Sequence, residues 1–356
     1  MDRELSIQRA KPFRYELMWE SHDDLKPFVA TSWSKTARAT SVAQMKEKLD
    51  DLSGDLASWD KMTFGNVRTE IQRLKRELEV LRSTPGRDGA SPREWVIVDR
   101  LVELYHREEV LWKQISRVEW LASGDKNSRF FHLRATMRRR KNLIKSLHNA
   151  DGDIINSIDQ LETMATQFYK ELYTSEGVSN MNAVLDCVPT KVSAEMNAVL
   201  EADFSADEVK RALFQIFPLK APDPDGFPAH FFQKHWDICG DEVVKAVLLI
   251  VRGEESLESI NKTCLVLIPK VKNPTHLSQF RPISLCNVLY KIALKVLANR
   301  LKIILPDIVF LEQSTFVPGR LITDNVIVAY ECLQFMKRNK SQRHRHCALK
   351  LDMMKA

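Results

Sequence analysis

Residues 264–285 read CLVLIPKVKNPTHLSQFRPISL: a β-rich apolar run closed by Pro269, a proline-containing loop, and a return through FRPIS. So short an apolar run between turn-forming residues favours a strand, and the pattern predicts a β-hairpin. Set among helical segments, that hairpin makes the chain α+β, mainly helical. Lys270 stands at the exposed end of the first strand and Arg281 opens the return, so two cations are expected at one tip. Arg suits a bidentate grip on phosphate and Lys supplies a point charge. The competing reading is a pair of solvated surface cations.

Downstream, VLYKIALKVLANRLKIIL at 288–305 places Ile292, Val296, Leu297, Leu301 and Ile304 on one side, with Lys291, Lys295, Arg300 and Lys302 elsewhere. This predicts a helix with an apolar side on a core and a basic side free to follow a nucleic-acid backbone. QSTFVPGR at 313–320 turns at Pro318-Gly319 and presents Arg320, which on residue grounds alone is a turn with a solvated arginine.

Upstream, Val42, Met45, Leu49, Leu52, Leu56 and Trp59 alternate spacings of three and four, an apolar stripe along a helix. After Phe64-Gly65 the stripe resumes out of phase at Val67, Ile71, Leu74, Leu78 and Leu81, and ends at STPGRDGASPR, residues 83–93. Ile97, Leu101, Leu104, Leu111, Ile115 and Val118 repeat it, interrupted by Glu108, which predicts a long antiparallel helical hairpin. Helix-on-helix core is the simple reading and a partner-binding coiled coil the other, but the phase slip spoils a sustained heptad.

The 356 residues are 44% hydrophobic and 28% charged, a soluble globular composition without an apolar run of membrane-spanning length. The charged N-terminus is no secretion signal, and an intracellular location, nuclear or cytoplasmic, is expected. Six cysteines without a CxxC pair signal neither a disulfide framework nor a zinc knuckle, and read as buried or incidental thiols. The net charge of +6 is unevenly placed: residues 126–145 and 261–302 each hold eight Lys or Arg and no acid, and residues 337–346 hold five and no acid. Polyanion binding is therefore the leading partner hypothesis. In 126–145, Lys126, Arg129, Arg138, Arg139, Arg140 and Lys141 are candidate backbone contacts, with Phe130, Phe131 and His132 as candidate base-stacking faces. The alternatives are a solvated basic face over core phenylalanines, or a nuclear-import run. DGDIINS at 151–157 reads as a turn leading into a helix over 158–173.

Five stretches then decide the resemblance: FPLKAPDPDGFPAHFFQKHW (217–236), CLVLIPKVKNP (264–274), FRPISLCNVLYKIALKVLANRL (280–301), EQSTFVPGRLITDNVIVAYECL (312–333) and CALKLDMMKA (347–356). In this order and spacing the chain resembles the reverse transcriptases of plant non-LTR (LINE-type) retrotransposons. GDKNSRFFH (124–132) and KPFRYELMW (11–19) look like the same family, the latter like the junction after its endonuclease domain. The resemblance implies a remnant junction at 1–30, the helical hairpin at 31–122, a basic RNA-binding-like extension and linker at 123–200, and the fingers and beginning of the palm at 201–356. It implies that Lys270 and Arg281 contact the incoming triphosphate or the template backbone, and that Gln313 and Arg320 lie along the template path. RNA template and RNA–DNA hybrid are the implied partners; the oligomeric state stays open.

Asp352 matches the family's first catalytic and metal-binding aspartate. Nucleotidyl transfer uses two Mg²⁺ ions held by at least two carboxylates, and the paired-aspartate motif would lie beyond Ala356. Stable Mg²⁺ binding and polymerisation are accordingly not expected of these residues alone. Two departures stand out, Met354 where Ser or Thr is usual and Asp223 where the family has Gly, the latter expected to strain a turn. His230 and His235, five apart, do not share a helix face as metal ligands should, and His344 and His346 sit among cations. A partial reverse transcriptase is the first functional reading; a non-catalytic, retroelement-derived RNA- or DNA-binding protein is the alternative.

Overall fold

The computed structural model describes residues 12–83, 89–116, 128–175, 177, 181–220, 225–314, 317–338 and 347–349. Helix α1 (Leu25–Lys35) precedes α2 (Val42–Thr63), whose first turn is fixed by the Ser41 hydroxyl accepting the Gln44 N–H. The stripe read from the sequence is buried from Val42 through Trp59. The phase slip has a backbone cause: Gly65 adopts φ +58°, ending α2, and Asn66 caps a new helix, α3 (Val67–Arg82). Helix α4 (Pro92–Ser116) packs antiparallel to α3, with Arg93 paired to Glu77 at one end and Arg107 stacked over Phe64 at the other.

Ile97, Leu101 and Leu104 are buried as read, but Ile115 is 45% exposed. Its neighbour Gln114 faces inward instead, accepting the Leu17 N–H and donating to the Tyr15 carbonyl. The interruption at Glu108 also has a partner: it faces His132 at 3.8 Å on α5 (Ser128–Asn142), which packs along α4.

A two-residue ladder of β1 (Leu147–His148) and β2 (Ile154–Ile155) follows, then α6 (Ile158–Tyr173). Beyond α7 (Met181–Leu185) and α8 (Ala194–Glu201), a full capping box of Ser205 and Glu208 starts α9 (Ala206–Phe214). Helices α10 (Ala229–Lys234) and α11 (Trp236–Val251) then lead to the predicted hairpin, β3 (Cys264–Pro269) antiparallel to β4 (Phe280–Leu285), with Cys264 opposite Leu285 and Pro269 opposite Phe280. Helices α12 (Val288–Ile308) and α13 (Ile322–Arg338) complete the described elements.

By contacts the chain forms two compact units, residues 1–177 with 204–295 and residues 178–203 with 296–356. In the first unit α2 packs on α1 and on α11. That joint holds a buried ion pair: Lys48 lies 3.1 Å from Glu242, which also accepts from the Trp33 indole and the Ala39 N–H. Burial alone would raise the Glu242 carboxyl, but these donors hold it below the usual carboxylate range. The segment from Phe13 to Trp19 is clamped to Phe227 and Phe231 by ring contacts, and the Tyr15 N–H donates to the Gly226 carbonyl.

Candidate nucleic-acid interface

One face of the hairpin packs on a core, and the other carries Val266, Ile268 and Ile283 with the two cations at its loop end. Phe280 is buried with Leu277 and Leu147, and Leu161, Met164 and Phe168 of α6 cover them. On the opposite face the register sets Arg281 across from Ile268, and the ladder continues with the Lys270 N–H donating to the Gln279 carbonyl. Lys270, two residues beyond Ile268, shares the Arg281 face as its diagonal neighbour, roughly 7–8 Å away. Both residues are exposed, and neither has an acidic partner among the described residues. The Lys270 ammonium donates to the Ser278 carbonyl at 3.0 Å, which fixes it at the loop end of the hairpin.

Helix α5 brings the second set. Arg129, Arg138, Arg139, Arg140 and Lys141 are exposed and carry no ion pair among the described residues. The same helix contacts β3, so both cation sets belong to the first unit. The aromatic residues of α5 divide. Phe131 is 2% exposed and belongs to the core, which overturns the base-stacking reading for that ring. Phe130 is half-buried against it, and Arg134 lies 6.0 Å over its face. His132 packs on Trp112 with ring centroids 3.5 Å apart, and burial, opposed by Glu108, pushes its pKa down. Arg134 was not singled out from the sequence, although its four-residue spacing from Phe130 was the available signal.

In the second unit the cations behave differently. Arg320 donates to the carbonyls of Pro306, Val309, Phe310 and Gln313, closing the end of α12. The solvated-arginine reading of that turn is corrected: the guanidinium satisfies helix-end acceptors that have no intrahelical donor. Gln313 is exposed beside it. Arg300, read as part of a basic side facing a nucleic-acid backbone, is buried and donates to the carbonyls of Leu200, Ala202 and Asp203 at the end of α8. Leu297 and Leu301, assigned to the core side of that helix, are exposed.

Lys126, Asp223, His344, His346, Asp352 and Met354 lie outside the described residues. Among the described residues no group of three His, Cys, Asp or Glu side chains is placed to hold a metal. His230 pairs with Glu20 at 2.6 Å, and His235 is buried, with its pKa pushed down to about 4 by burial. Of the cysteines, Cys239 is buried, with its thiol pushed up to about 12 by burial, while Cys187, Cys264, Cys332 and Cys347 are exposed.

No protein-family model matches the chain. Over 225 residues it is 30% identical to the transposon TX1 uncharacterized 149 kDa protein of Xenopus laevis. The similarity supports a transposon-derived chain. The aligned stretch spans 63% of this chain and 17% of that protein. Among the described residues, no helix is long and apolar enough to cross a membrane. Within the first unit, the exposed cations of α5 and of the β3–β4 hairpin make a positively charged surface without acidic partners among the described residues.

Proposed function

We propose that the chain is the template-gripping part of a non-LTR retrotransposon reverse transcriptase, binding RNA and RNA–DNA hybrid through α5 and the β3–β4 hairpin. One observation carries the reading: Arg138, Arg139, Arg140 and Lys141 on α5, and Lys270 and Arg281 on one hairpin face, are exposed without acidic partners among the described residues, on elements joined by the α5–β3 contact. Four adjacent cations on one helix repel each other unless an anion lies near. Lys270 and Arg281 are proposed to hold phosphates of the template or the incoming nucleotide, Arg by a bidentate grip and Lys as a point charge. Gln313 is proposed to lie along the template path. Arg320, with its donors committed to four carbonyls, is proposed to shape that path by fixing the turn beside Gln313. Asp352 is proposed as the first Mg²⁺-binding carboxylate of the polymerase.

Equilibrium binding of a structured RNA and an RNA–DNA hybrid across a salt series, with primer extension alongside, tests the reading. Four to six phosphate contacts give a log–log salt slope of roughly −3 to −5. Absence of binding, or binding indifferent to salt, would overturn it. Salt-dependent binding without extension is the expected result for these residues, and extension would overturn the expectation that they do not polymerise alone.

A further inference from the structure

On the apolar side of the β3–β4 hairpin, α6 and the first half of β3 enclose an open groove of about 750 Å³, lined by Tyr169, Tyr173, Thr263, Leu265, Leu267 and Ser284. The volume lies in the range of small-ligand sites, roughly 300–1,000 Å³. Helix α6 is amphipathic in two directions. Leu161, Met164, Ala165 and Phe168 go to the core beneath the hairpin, and the adjacent stripe of Glu162, Thr166, Tyr169 and Tyr173 faces the groove.

Two features there lack a structural use. Tyr169 is 5% exposed, yet its hydroxyl has no hydrogen-bond partner among the described residues, a cost that a native core avoids. Tyr173 lies nearly parallel to it, with ring centroids 6.1 Å apart at 25°, and is 63% exposed, so it presents an aromatic face to solvent.

We infer that this groove binds an unpaired nucleic-acid strand, with a base stacked on Tyr173 and the Tyr169 hydroxyl bonded to a base edge or sugar hydroxyl. The inference rests on the nucleic-acid reading above and adds a base-contacting site to its backbone contacts. Stacking is indifferent to base identity, because every base has a π face, and suits a surface that must pass any sequence. The lining charge is balanced, and cations stand around the groove. Lys170 lines the groove, Lys262 is exposed next to Thr263, and the hairpin whose apolar side forms the wall carries Lys270 and Arg281 on its other side. Glu162 is the one acid among the lining residues. A peptide added to the edge of β3 would use backbone groups there and leave both tyrosines without a role.

Binding of a 12-nucleotide oligo(rU) and of its abasic 12-mer counterpart separates base from backbone contacts. Tyr173→Ala is expected to weaken oligo(rU) binding on the order of 10-fold and to leave abasic binding unchanged. Tyr169→Phe, which keeps the ring, is expected to weaken oligo(rU) binding by a smaller factor without lowering the melting temperature. Unchanged oligo(rU) binding by Tyr173→Ala, or equal losses for both ligands, would overturn this inference while the backbone-binding reading stands. Failure of the unsubstituted chain to bind either oligonucleotide would overturn both.

Discussion

Gly226 shows how one residue holds the N-terminal segment in place. Its φ is +80°, and a Cβ there would lie 2.2 Å from the Phe13 carbonyl oxygen, so both the turn and the close approach require glycine. Gly226→Ala is expected to cost about 2 kcal/mol or more in urea unfolding, a size reserved for strained or clashing sites. An unchanged midpoint would show that the segment is not clamped. Lys48 and Glu242 form the second such point. Removing one partner leaves a buried charge unpaired, so Lys48→Met is expected to destabilise by about 3–5 kcal/mol, and the Lys48→Met, Glu242→Leu double substitution by clearly less. Equal losses in the single and double variants would remove the ion pair from that account. The sequence shows Lys48 only as a charge in an otherwise apolar stripe, because its partner lies 194 residues away.

At the scale of elements, α5 can lose charge without losing its fold. Its apolar anchor is Phe131, while Arg138, Arg139 and Arg140 point to solvent, so replacing all three with Gln is expected to leave the helical circular dichroism signal intact. The same triple substitution should flatten the log–log salt slope for single-stranded RNA by about 2, at roughly 0.7 per lost phosphate contact. An unaltered slope would move the phosphate contacts elsewhere. The break between α2 and α3 and the start of α6 after the turn at 151–157 were legible because their causes are local, Gly65 in the first case and turn-forming residues in the second. The hairpin was legible for the same reason, since a short β-rich apolar run and its turn residues act within a few positions. The partner of each helix was less legible. The stripe of α2 reads equally well as one arm of a hairpin with its neighbours, and it packs on α1 and α11.

For the molecule as a whole, pH couples groups far apart in the chain. His235 is held neutral, its pKa pushed down to about 4 by burial, so the unfolded chain takes up its proton first and stability falls between pH 6.5 and 4. Asp225 acts oppositely. Burial first, with Asp50 adding to it, pushes its pKa up to about 6 against the Phe227 N–H, Lys291 and Lys46, so the folded chain takes that proton first and gains stability over much the same window. The two nearly cancel. Asp225→Asn is therefore expected to give a urea midpoint that drops as pH falls from 6.5 to 4, and His235→Gln one that holds or rises, each relative to the unsubstituted chain. Identical pH profiles for all three would show that neither group is perturbed. What the sequence determined by itself was what short-range physics controls: the mainly helical α+β class, the hairpin, the helix breaks and the uneven spread of cations. Which cations remain available was decided only by tertiary structure. Arg138 and Arg300 look alike in a sequence, but Arg300 is bound by helix-end carbonyls about 100 residues away, whereas no described acid or carbonyl meets Arg138. A guanidinium satisfies whichever acceptors the fold brings to it, and the orphan carbonyls at a helix end become its partners only once the chain has packed.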